Sequence, residues 1–262
     1  MLEDEVKHLM ESIILNTELP GMERQGLADI HCHILPGIDD GSRTTEESLE
    51  LIGLSYEQGF RTFVATSHYS RRHSNPDIEQ MTSELAAAVK EKYPDVLIYP
   101  GHETYWHEEL PQRIEQEEAR RIAGSSYVLV EFDFAAGFND IQRGLRNISE
   151  RGYTPILAHF ERYGCLREAD RSSDIKRLGV VMQMNYESIA DGGLFNRDVR
   201  WCRHEIERGI VDVLGTDMHR TDYRPPETLN AQKWLKKKLS FDHFDVLTRR
   251  NTLHIIRNED IE

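Results

Sequence analysis

The hydrophobic residues of the chain fall into seven short runs, and a segment with helical character follows each run. The runs are rich in β-branched residues, which favour strands. Strands that alternate with helices predict a parallel sheet with the helices packed outside it. Because seven such units fall within one domain, we expect a barrel rather than an open sheet. The predicted strands are Leu27–His33, Arg61–His68, Val96–Glu103, Ser126–Phe132, Thr154–His159, Val180–Tyr186 and Val211–His219.

Two of the intervening segments carry clear helix signals. After the first strand, Thr44 and Glu47 have the spacing of a capping box, and Gly59 supplies a C-terminal stop. The next segment lies between Pro76 and Pro94, which bound a second predicted helix. Its apolar residues recur at helical spacing, at Ile78, Met81, Leu85 and Val89.

Residues 1–26 precede the first predicted strand and form an N-terminal extension to the domain at 27–262. Glu3–Asn16 has the pattern of an amphipathic helix. Such a helix would pack on the barrel or mediate assembly into a homo-oligomer. Met22 is a second candidate start of the chain, so the extension is also consistent with a misassigned first residue.

The charge of the chain limits the classes of partner that it is expected to bind. The formal net charge is −14, and the longest basic run is Lys236–Lys238, which reads as the solvated face of a helix. Nucleic-acid binding is therefore not expected, because it needs a basic surface. We predict no membrane insertion, since no apolar run approaches the roughly 18 residues of a bilayer span. The first residues do not have the pattern of a signal peptide, which predicts a cytoplasmic protein.

The chain contains three cysteines, Cys32, Cys165 and Cys202, and no CxxC pair. An odd number without paired spacing argues against a disulfide framework and against a structural zinc site. Any metal in this protein must therefore be held by nitrogen and oxygen atoms.

Histidines and acidic residues cluster at the carboxyl ends of the predicted strands, where functional side chains gather in parallel barrels. The first strand ends in His31 and His33, which alternation places on one face, with Cys32 on the other. Asp40 follows in an Asp-Asp-Gly turn. Six of the seven predicted strands end in a histidine or an acidic residue. After the first strand, these residues are His68, Glu103, Glu131, His159 and the pair Asp217 and His219.

Each of these residues also has an ordinary explanation. A single HxH pair is often accidental, Asp-Asp-Gly is usually only a turn, and Glu131 alone would be a salt-bridge partner. Burying so many ionisable groups together, however, costs several kcal/mol for each one unless cations compensate. Imidazole and carboxylate ligands without thiolate suit manganese, iron or zinc better than magnesium. Nine ligands are too many for one ion, so we predict two or three.

The motifs together resemble one family, the PHP-class protein-tyrosine phosphatases of bacterial capsule and exopolysaccharide operons, of the CpsB/YwqE type. The resemblance covers roughly residues 27–260. The motifs that carry it are Asp29-Ile-His-Cys-His33, Asp39-Asp-Gly-Ser42, Ala65-Thr-Ser-His68, Gly101-His-Glu103, Glu131-Phe132, Ala158-His-Phe-Glu-Arg-Tyr163, Asp217-Met-His219 and Arg224-Pro-Pro226.

This resemblance implies a distorted seven-stranded (β/α) barrel with three divalent ions, most commonly Mn²⁺, with Fe, Zn, Co or Mg as alternatives. It implies that Arg162 and Arg224 bind phosphate. It also implies that the substrate is a phosphotyrosine protein, the tail of a bacterial tyrosine kinase that controls capsule or exopolysaccharide synthesis. The phosphate ester would be hydrolysed by a metal-activated hydroxide. The ligands it implies are His31, His33, Glu103 and Asp217 for the first ion, Glu103, Glu131 and His159 for the second, and Asp40, His68 and His219 for the third.

The chain departs from the family pattern in several places. The N-terminal extension is unusual, and Tyr69 stands where some relatives carry a second histidine. The Phe134–Phe138 segment and the region of His73 are expected to form the rim of the substrate site. Three further histidines, His73, His102 and His107, are predicted not to be ligands, and His102 should point away from Glu103.

Four other functions compete with this one. Cys-x5-Arg occurs at Cys165–Arg171 and Cys202–Arg208, but the intervening residues are acidic and lack the glycine typical of a phosphate-cradling cysteine loop. A PHP-superfamily histidinol-phosphate or other small phosphomonoester hydrolase is a closer alternative, although the Glu-Arg-Tyr and Arg-Pro-Pro motifs favour the tyrosine-phosphatase branch. An amidohydrolase would not need the third set of ligands. A non-catalytic, kinase-binding regulator would not need a complete set.

Overall fold

Seven parallel strands form the sheet, in the order β1 to β7 that they have along the chain. The computed structural model describes residues 26–69, 77–190 and 196–261, so the predicted helix Glu3–Asn16 and the region of His73 lie outside the described residues. The arrangement confirms the predicted α/β barrel. The strands are β1 (Leu27–Cys32), β2 (Phe60–Tyr69), β3 (Leu97–Tyr105), β4 (Tyr127–Glu131), β5 (Thr154–Leu157), β6 (Val181–Asn185) and β7 (Val213–Gly215).

The segment that follows β7 nearly closes the barrel against β1. The backbone N–H of Asp217 donates to the carbonyl of His31 at 2.7 Å, and that of His33 donates to the carbonyl of Met218 at 2.9 Å. These bonds place the residues after β7 beside the HxH pair. Two stretches that are far apart in sequence therefore meet at one end of the barrel.

Helices follow most of the strands and cover the outside of the barrel. The two helices predicted most clearly are present, with Thr44 accepting a bond from the N–H of Glu47 and Asp77 capping the next helix. The capping box is only half formed, because the Glu47 carboxylate accepts the N–H of Arg43. The helices are α1 (Thr45–Glu57), α2 (Ile78–Lys92), α3 (Leu110–Glu115), α4 (Phe138–Ser149), α5 (Arg171–Lys176), α6 (Glu187–Ala190), α7 (Arg197–Glu207), α8 (Leu229–Lys238), α9 (Phe241–Asp245) and α10 (Asn251–Ile256).

Shorter helical segments occur in several loops. They are 3₁₀ turns at Ile122–Gly124, Phe160–Arg162 and Gly164–Arg167, together with a π-helical turn at Val246–Arg250. In the part of the chain that the structure describes, no helix is both long and apolar enough to span a bilayer.

The ends of β5 and β7 differ from their predicted positions. Strand β5 stops at Leu157 and β7 at Gly215, so His159, Asp217 and His219 lie beyond the strands. The prediction that Asp217 and His219 form an i, i+2 pair on a strand is therefore wrong. His159 and Asp217 have φ values of +31° and +51°, in the left-handed region that non-glycine residues rarely adopt. The turns at these residues, rather than strand alternation, direct their side chains.

Apolar side chains fill the barrel from the amino ends of the strands upward. An inner cluster contains Ile30, Val64, Leu129 and Ile156, and α10 adds residues to it. The chain after α10 covers the amino ends, since the Tyr127 hydroxyl donates to the carbonyl of Glu259. A second, larger cluster lies between the sheet and the helices. Because apolar side chains occupy the rest of the barrel interior, the polar side chains meet at the carboxyl ends of the strands.

Because of a register shift, β1 contributes side chains both to the inner apolar cluster and to the polar carboxyl end of the barrel. Asp29 pairs with Phe63 and Cys32 with Ala65, so three steps along β1 oppose two along β2. Such a shift is a β-bulge, which redirects side chains. Ile30 consequently joins the inner cluster, whereas His31 and His33 both reach the end of the barrel.

Candidate metal centre

Neighbouring strands carry the predicted ligands to one end of the barrel. His68 on β2 is in register with Glu103 on β3, and Glu131 ends β4. Loops add the ligands that lie beyond the strands. Three overlapping groups of donor atoms, each spanning no more than 4.8 Å, account for eight of the nine predicted ligands, His159 being the ninth.

The first predicted set of ligands lies around the HxH pair. The Nε2 atoms of His31 and His33 are 3.3 Å apart, and each is 3.3 Å from Oε2 of Glu103. Oδ1 of Asp217 is 3.7 Å from the first nitrogen and 3.5 Å from the second. All four side chains are buried.

The second set uses the other oxygen of Glu103. Oε1 of Glu103 lies 2.9 Å from Nε2 of His159, which is also 3.5 Å from Oε1 of Glu131. The two oxygens of the Glu103 carboxylate therefore face different sets of donors. This is the position that a bridging ligand between two ions requires.

The third set is more open to solvent. Oδ1 of Asp40 is 3.5 Å from Nε2 of His68 and 3.6 Å from Nε2 of His219. The ring of His219 stacks on that of His33 at a centroid distance of 4.0 Å. His68 also adjoins the second set, because its Nδ1 is 3.9 Å from Oε2 of Glu131 as well as 3.0 Å from Oε2 of Glu103. The predicted division into three sets is therefore recognisable, although His33 and His68 each adjoin a second group.

The separations between these atoms fit ligands of metal ions. Nitrogen and oxygen ligands bound about 2.0–2.2 Å from one ion at tetrahedral or octahedral angles lie roughly 2.8–3.6 Å from each other. Most of the distances above fall in or close to that interval. The donors are imidazoles and carboxylates, the combination that suits manganese, iron and zinc. The residues present therefore fit divalent ions.

The ionisation of the acidic residues differs within the centre. Burial disfavours the charged form of Glu103, but the surrounding His31 and His68 rings outweigh it and lower its pKa. At Glu131 burial and the neighbouring Glu103 charge act together and raise the pKa to about 7. The neighbouring carboxylates of Glu103 and Glu131 repel each other when both are ionised, and cations bound between them would offset that repulsion.

Asp39, which the sequence analysis treated only as part of a turn, orients two ligands. Its Oδ2 accepts from Nδ1 of His33 at 2.9 Å and from the N–H of His68 at 2.9 Å. Burial opposes its ionisation, but the His33 ring holds the pKa of the Asp39 carboxyl well below its ordinary value. A carboxylate behind a ligating histidine fixes the ring orientation, leaving Nε2 of His33 to face the centre.

Gln183 and Asn185 on β6 also support the ligands, and the sequence analysis missed both. Oε1 of Gln183 lies 3.1 Å from Nδ1 of His31 and accepts the N–H of His159 at 2.7 Å. Nδ2 of Asn185 donates to Oδ2 of Asp217 at 2.8 Å. Among the seven predicted strands, Val180–Tyr186 is the one without a predicted metal ligand at its end. Polar residues at alternate positions of this buried strand were the signal that it has a supporting role.

Two glycines allow the backbone to approach the histidines closely. A Cβ atom at Gly215 would lie 2.7 Å from Cβ of His31, and one at Gly41 would lie 2.3 Å from the carbonyl oxygen of His33. No side chain fits at either position without moving the HxH pair. The glycine of the Asp-Asp-Gly turn is thus required by packing.

The two predicted phosphate-binding arginines meet at the edge of the centre. Nη2 of Arg162 is 3.3 Å and Nη1 of Arg224 is 2.9 Å from the same atom, Oδ2 of Asp217. Arg162 also pairs with Glu187 at 2.9 Å. Both guanidinium groups remain partly exposed, at 23% and 21% of their side-chain surface. They are therefore accessible to an anion at the mouth of the centre.

Two residues near the centre point away from it. Nδ1 of His102 accepts the N–H of Arg120 at 2.8 Å on the outer face of β3, which confirms that this histidine points away from Glu103. Tyr69 is buried beside it and its hydroxyl lies 3.4 Å from Glu118. Within the described residues, no group of metal-type donors contains His102 or His107, and His73 lies outside those residues.

The sequence matches a known protein family over almost its whole length. The family described as "Capsular polysaccharide synthesis, CpsB/CapC" matches residues 27–257. The tyrosine-protein phosphatase CpsB of Streptococcus pneumoniae is 32% identical over 220 residues, which cover 81% of this chain and 90% of that protein. The tyrosine-protein phosphatase YwqE of Bacillus subtilis is 26% identical over 241 residues, covering 90% of this chain and 93% of YwqE.

The fold also matches a solved structure. A crystal structure from work on YwqE of Bacillus subtilis and CpsB of Streptococcus pneumoniae, described as unique metal-dependent tyrosine phosphatases, superimposes with a TM-score of 0.80. It is 26% identical in sequence, and the match covers 90% of this chain and 96% of that one.

Proposed function

The chain belongs to the CpsB/CapC family of capsular polysaccharide synthesis proteins, and from this membership and the centre described above we propose that it is a metal-dependent protein-tyrosine phosphatase. The observation that carries the proposal is the convergence of the predicted ligands on Glu103, with Arg162 and Arg224 beside them. Phosphoester hydrolysis needs cations at the phosphoryl oxygens and a positively charged binding site. This end of the barrel has residues for both.

We assign the nine ligands to three divalent ions, with manganese as the metal that suits them best. The first would be held by the HxH pair with Glu103 and Asp217, the second by Glu103 with Glu131 and His159, and the third by Asp40, His68 and His219. Bound divalent ions polarise phosphoryl oxygens and lower the pKa of a bound water to about 7. Glu103 would be a ligand of two of these ions, and Asp39 accepts the hydrogen bonds that orient His33 and His68.

Arg162 and Arg224 are assigned to the phosphate group of the substrate. Guanidinium groups form charge-assisted, bidentate hydrogen bonds with phosphate oxygens. Oε1 of Glu187 accepts a hydrogen bond from Nη2 of Arg162 at 2.9 Å, which orients this guanidinium group. Three divalent ions exceed the charge of the four ligand carboxylates by two, or by one when Asp39 behind His33 is counted, and the arginines add to this surplus. An acidic protein therefore offers a locally cationic site to a dianionic ester.

The leaving group favours an aryl phosphate as substrate. The conjugate acid of a tyrosine phenolate has a pKa near 10, so the phenolate leaves with little help from a general acid. An alkoxide would need protonation. We therefore propose phosphotyrosine on a protein as the substrate. Because the family is one of capsular polysaccharide synthesis, we propose as its source the tail of a bacterial tyrosine kinase that controls capsule or exopolysaccharide synthesis.

A cysteine nucleophile does not fit the structure. Burial raises the pKa of the Cys202 thiol to about 12 and also raises those of Cys32 and Cys165. The arginines of the two Cys-x5-Arg segments are paired with carboxylates, Arg171 with Glu168, and Arg208 with Glu205 and Asp170. The raised pKa values disfavour the thiolate form that a cysteine nucleophile needs.

Phosphate release from two substrates tests the proposed function. We expect the manganese-loaded protein to release phosphate from a tyrosine-phosphorylated peptide with a kcat/KM at least about 10-fold above that for histidinol phosphate, because the aryl ester has the better leaving group. A preference for histidinol phosphate would support the small-substrate alternative. Tight binding of the phosphopeptide without any phosphate release would indicate a non-catalytic regulator.

Substitution of Arg162 tests the assignment of the phosphate site. For Arg162→Ala we expect KM for the phosphopeptide to rise by about 10- to 100-fold, because a charge-assisted hydrogen bond contributes about 1.5–3 kcal/mol. Inhibition by inorganic phosphate should weaken in parallel. Arg162→Lys should give an intermediate value, since lysine keeps the charge but not the bidentate contact. Arg143→Ala, on the exposed face of α4, is the matched control. An unchanged KM and phosphate inhibition in Arg162→Ala would show that this side chain does not bind the phosphate.

A further inference from the structure

Two large aromatic side chains stand exposed beside the candidate metal centre. Phe134 follows β4 and is 51% exposed, and Tyr223 follows β7 and is 50% exposed. Aromatic side chains with free faces are common where a binding site receives the apolar part of a ligand. The other large exposed hydrophobic residues in the described part of the chain are Leu54, Tyr105, Leu229 and Phe241.

Phe134 contacts one side of the centre. Its ring centroid is 5.7 Å from that of His159, and the guanidinium carbon of Arg162 lies 5.9 Å from its centroid. The turn that carries the ring is fixed by Asp133, whose Oδ1 accepts the N–H of Ala135 at 2.8 Å. The position of this exposed ring is thus set by the backbone.

Tyr223 contacts the other side in a corresponding way. Its ring is perpendicular to that of His219 at 6.2 Å, and the guanidinium carbon of Arg224 lies 5.6 Å from its centroid. The tight turn from Arg220 to Tyr223 is closed by two backbone hydrogen bonds, of 3.0 and 3.3 Å. Each exposed ring therefore adjoins one histidine of the centre and one of the two arginines.

Both arginines contact the same oxygen of Asp217, so each aromatic ring lies beside an arginine that contacts this one atom. We propose that Phe134 and Tyr223 bind the phenyl ring of phosphotyrosine and determine the preference for aryl over alkyl phosphate esters. The proposal rests on the proposed phosphatase function and adds the residues that select its substrate. A phosphate held by the arginines and the ions would place its ester substituent between the two rings.

The energetic basis is the contact between aromatic rings. An aromatic pair contributes about 0.5–1.5 kcal/mol beyond the area it buries, which corresponds to about 2- to 10-fold in affinity for each ring. A short alkyl ester makes neither contact. The phosphate group itself is bound in the same way in both classes of ester. The two rings should therefore change the ratio of the two affinities and leave phosphate binding intact.

The test compares two phosphonates that cannot be hydrolysed, benzylphosphonate and ethylphosphonate. Their inhibition constants would be measured on the manganese-loaded protein, its Phe134→Ala and Tyr223→Ala variants, and Phe241→Ala as a distant exposed aromatic control. We expect the preference for benzylphosphonate to fall by about 2- to 10-fold in each of the first two variants and to remain unchanged in the control. Tyr223→Phe should keep the wild-type preference, because it retains the ring.

Several results would overturn the proposal. One is a wild-type protein that binds the two phosphonates equally, and another is an alanine variant that weakens both to the same extent. An unaltered ratio in only one of the variants would remove that residue from the site and refute the paired arrangement. These outcomes are distinct from failure of the phosphatase function, which would appear as absence of phosphate release from the phosphopeptide by the wild-type protein.

Discussion

Replacement of Glu103 by glutamine should reduce phosphate release from a tyrosine-phosphorylated peptide by more than about 100-fold. The carboxylate is buried, and its two oxygens face His31 and His33 on one side and His159 on the other. Loss of a supporting residue behind a metal ligand typically costs 10- to 100-fold in affinity or activity, so loss of a ligand shared by two ions should cost more. The bound metal should fall as well.

Two controls make this result specific. Glu103→Gln keeps the size of the side chain, so the thermal unfolding of the variant should show whether the barrel is intact. Glu50→Ala, on the exposed face of α1, should leave the rate and the metal content unchanged. A Glu103→Gln protein with normal turnover and a full complement of metal would refute the bridging role.

Removal of divalent metal should abolish activity, and manganese should restore it. Metal ions contribute several kcal/mol to the stabilisation of charge in phosphoryl transfer, which corresponds to a loss of at least about 10³-fold. Alkylation with iodoacetamide should leave the rate unchanged, because the three thiols have raised pKa values and lie outside the centre. The opposite result, in which a chelator has no effect and alkylation inactivates, would favour a cysteine-dependent mechanism.

Much of the barrel could be predicted from the sequence because strand and helix patterns alternate so regularly. The capping residue Thr44 and the apolar spacing from Ile78 to Val89 identified two helices almost to their ends. The HxH pair, His68, Glu103 and Glu131 could also be placed, since strand alternation and the parallel order bring them to one end. Periodicity is informative wherever the backbone is regular.

The remaining features depend on irregular backbone. Strand alternation could not give the positions of His159 and Asp217, because both lie beyond the strands with positive φ. The hydrophobic pattern also does not predict the bulge in β1. This bulge places Ile30 in the inner apolar cluster and His31 at the carboxyl end of the barrel. These conformations are set by tertiary contacts, such as the bond from Asp217 N–H to the His31 carbonyl at 2.7 Å.

The supporting residues were missed for a different reason. Asp39 lies next to the predicted ligand Asp40, and nothing in the hydrophobic pattern indicates that its carboxylate contacts His33 and His68. In the structure, Asp39 accepts bonds from His33 and His68, whereas Asp40 is exposed and faces His68 and His219. Gln183 acts through His31 and His159, which are distant in sequence. Such roles are defined by three-dimensional contacts, and composition does not report them.

We propose that ligands at the ends of the strands and in the loops that follow them enclose divalent ions beside two arginines that bind phosphate. Anomalous X-ray scattering at the manganese edge, from crystals of the active protein, tests it most directly. We predict three peaks, bounded by the Glu103, Asp217 and HxH donors, by Glu103, Glu131 and His159, and by Asp40, His68 and His219. Active crystals with no metal among these residues would refute this arrangement of ligands.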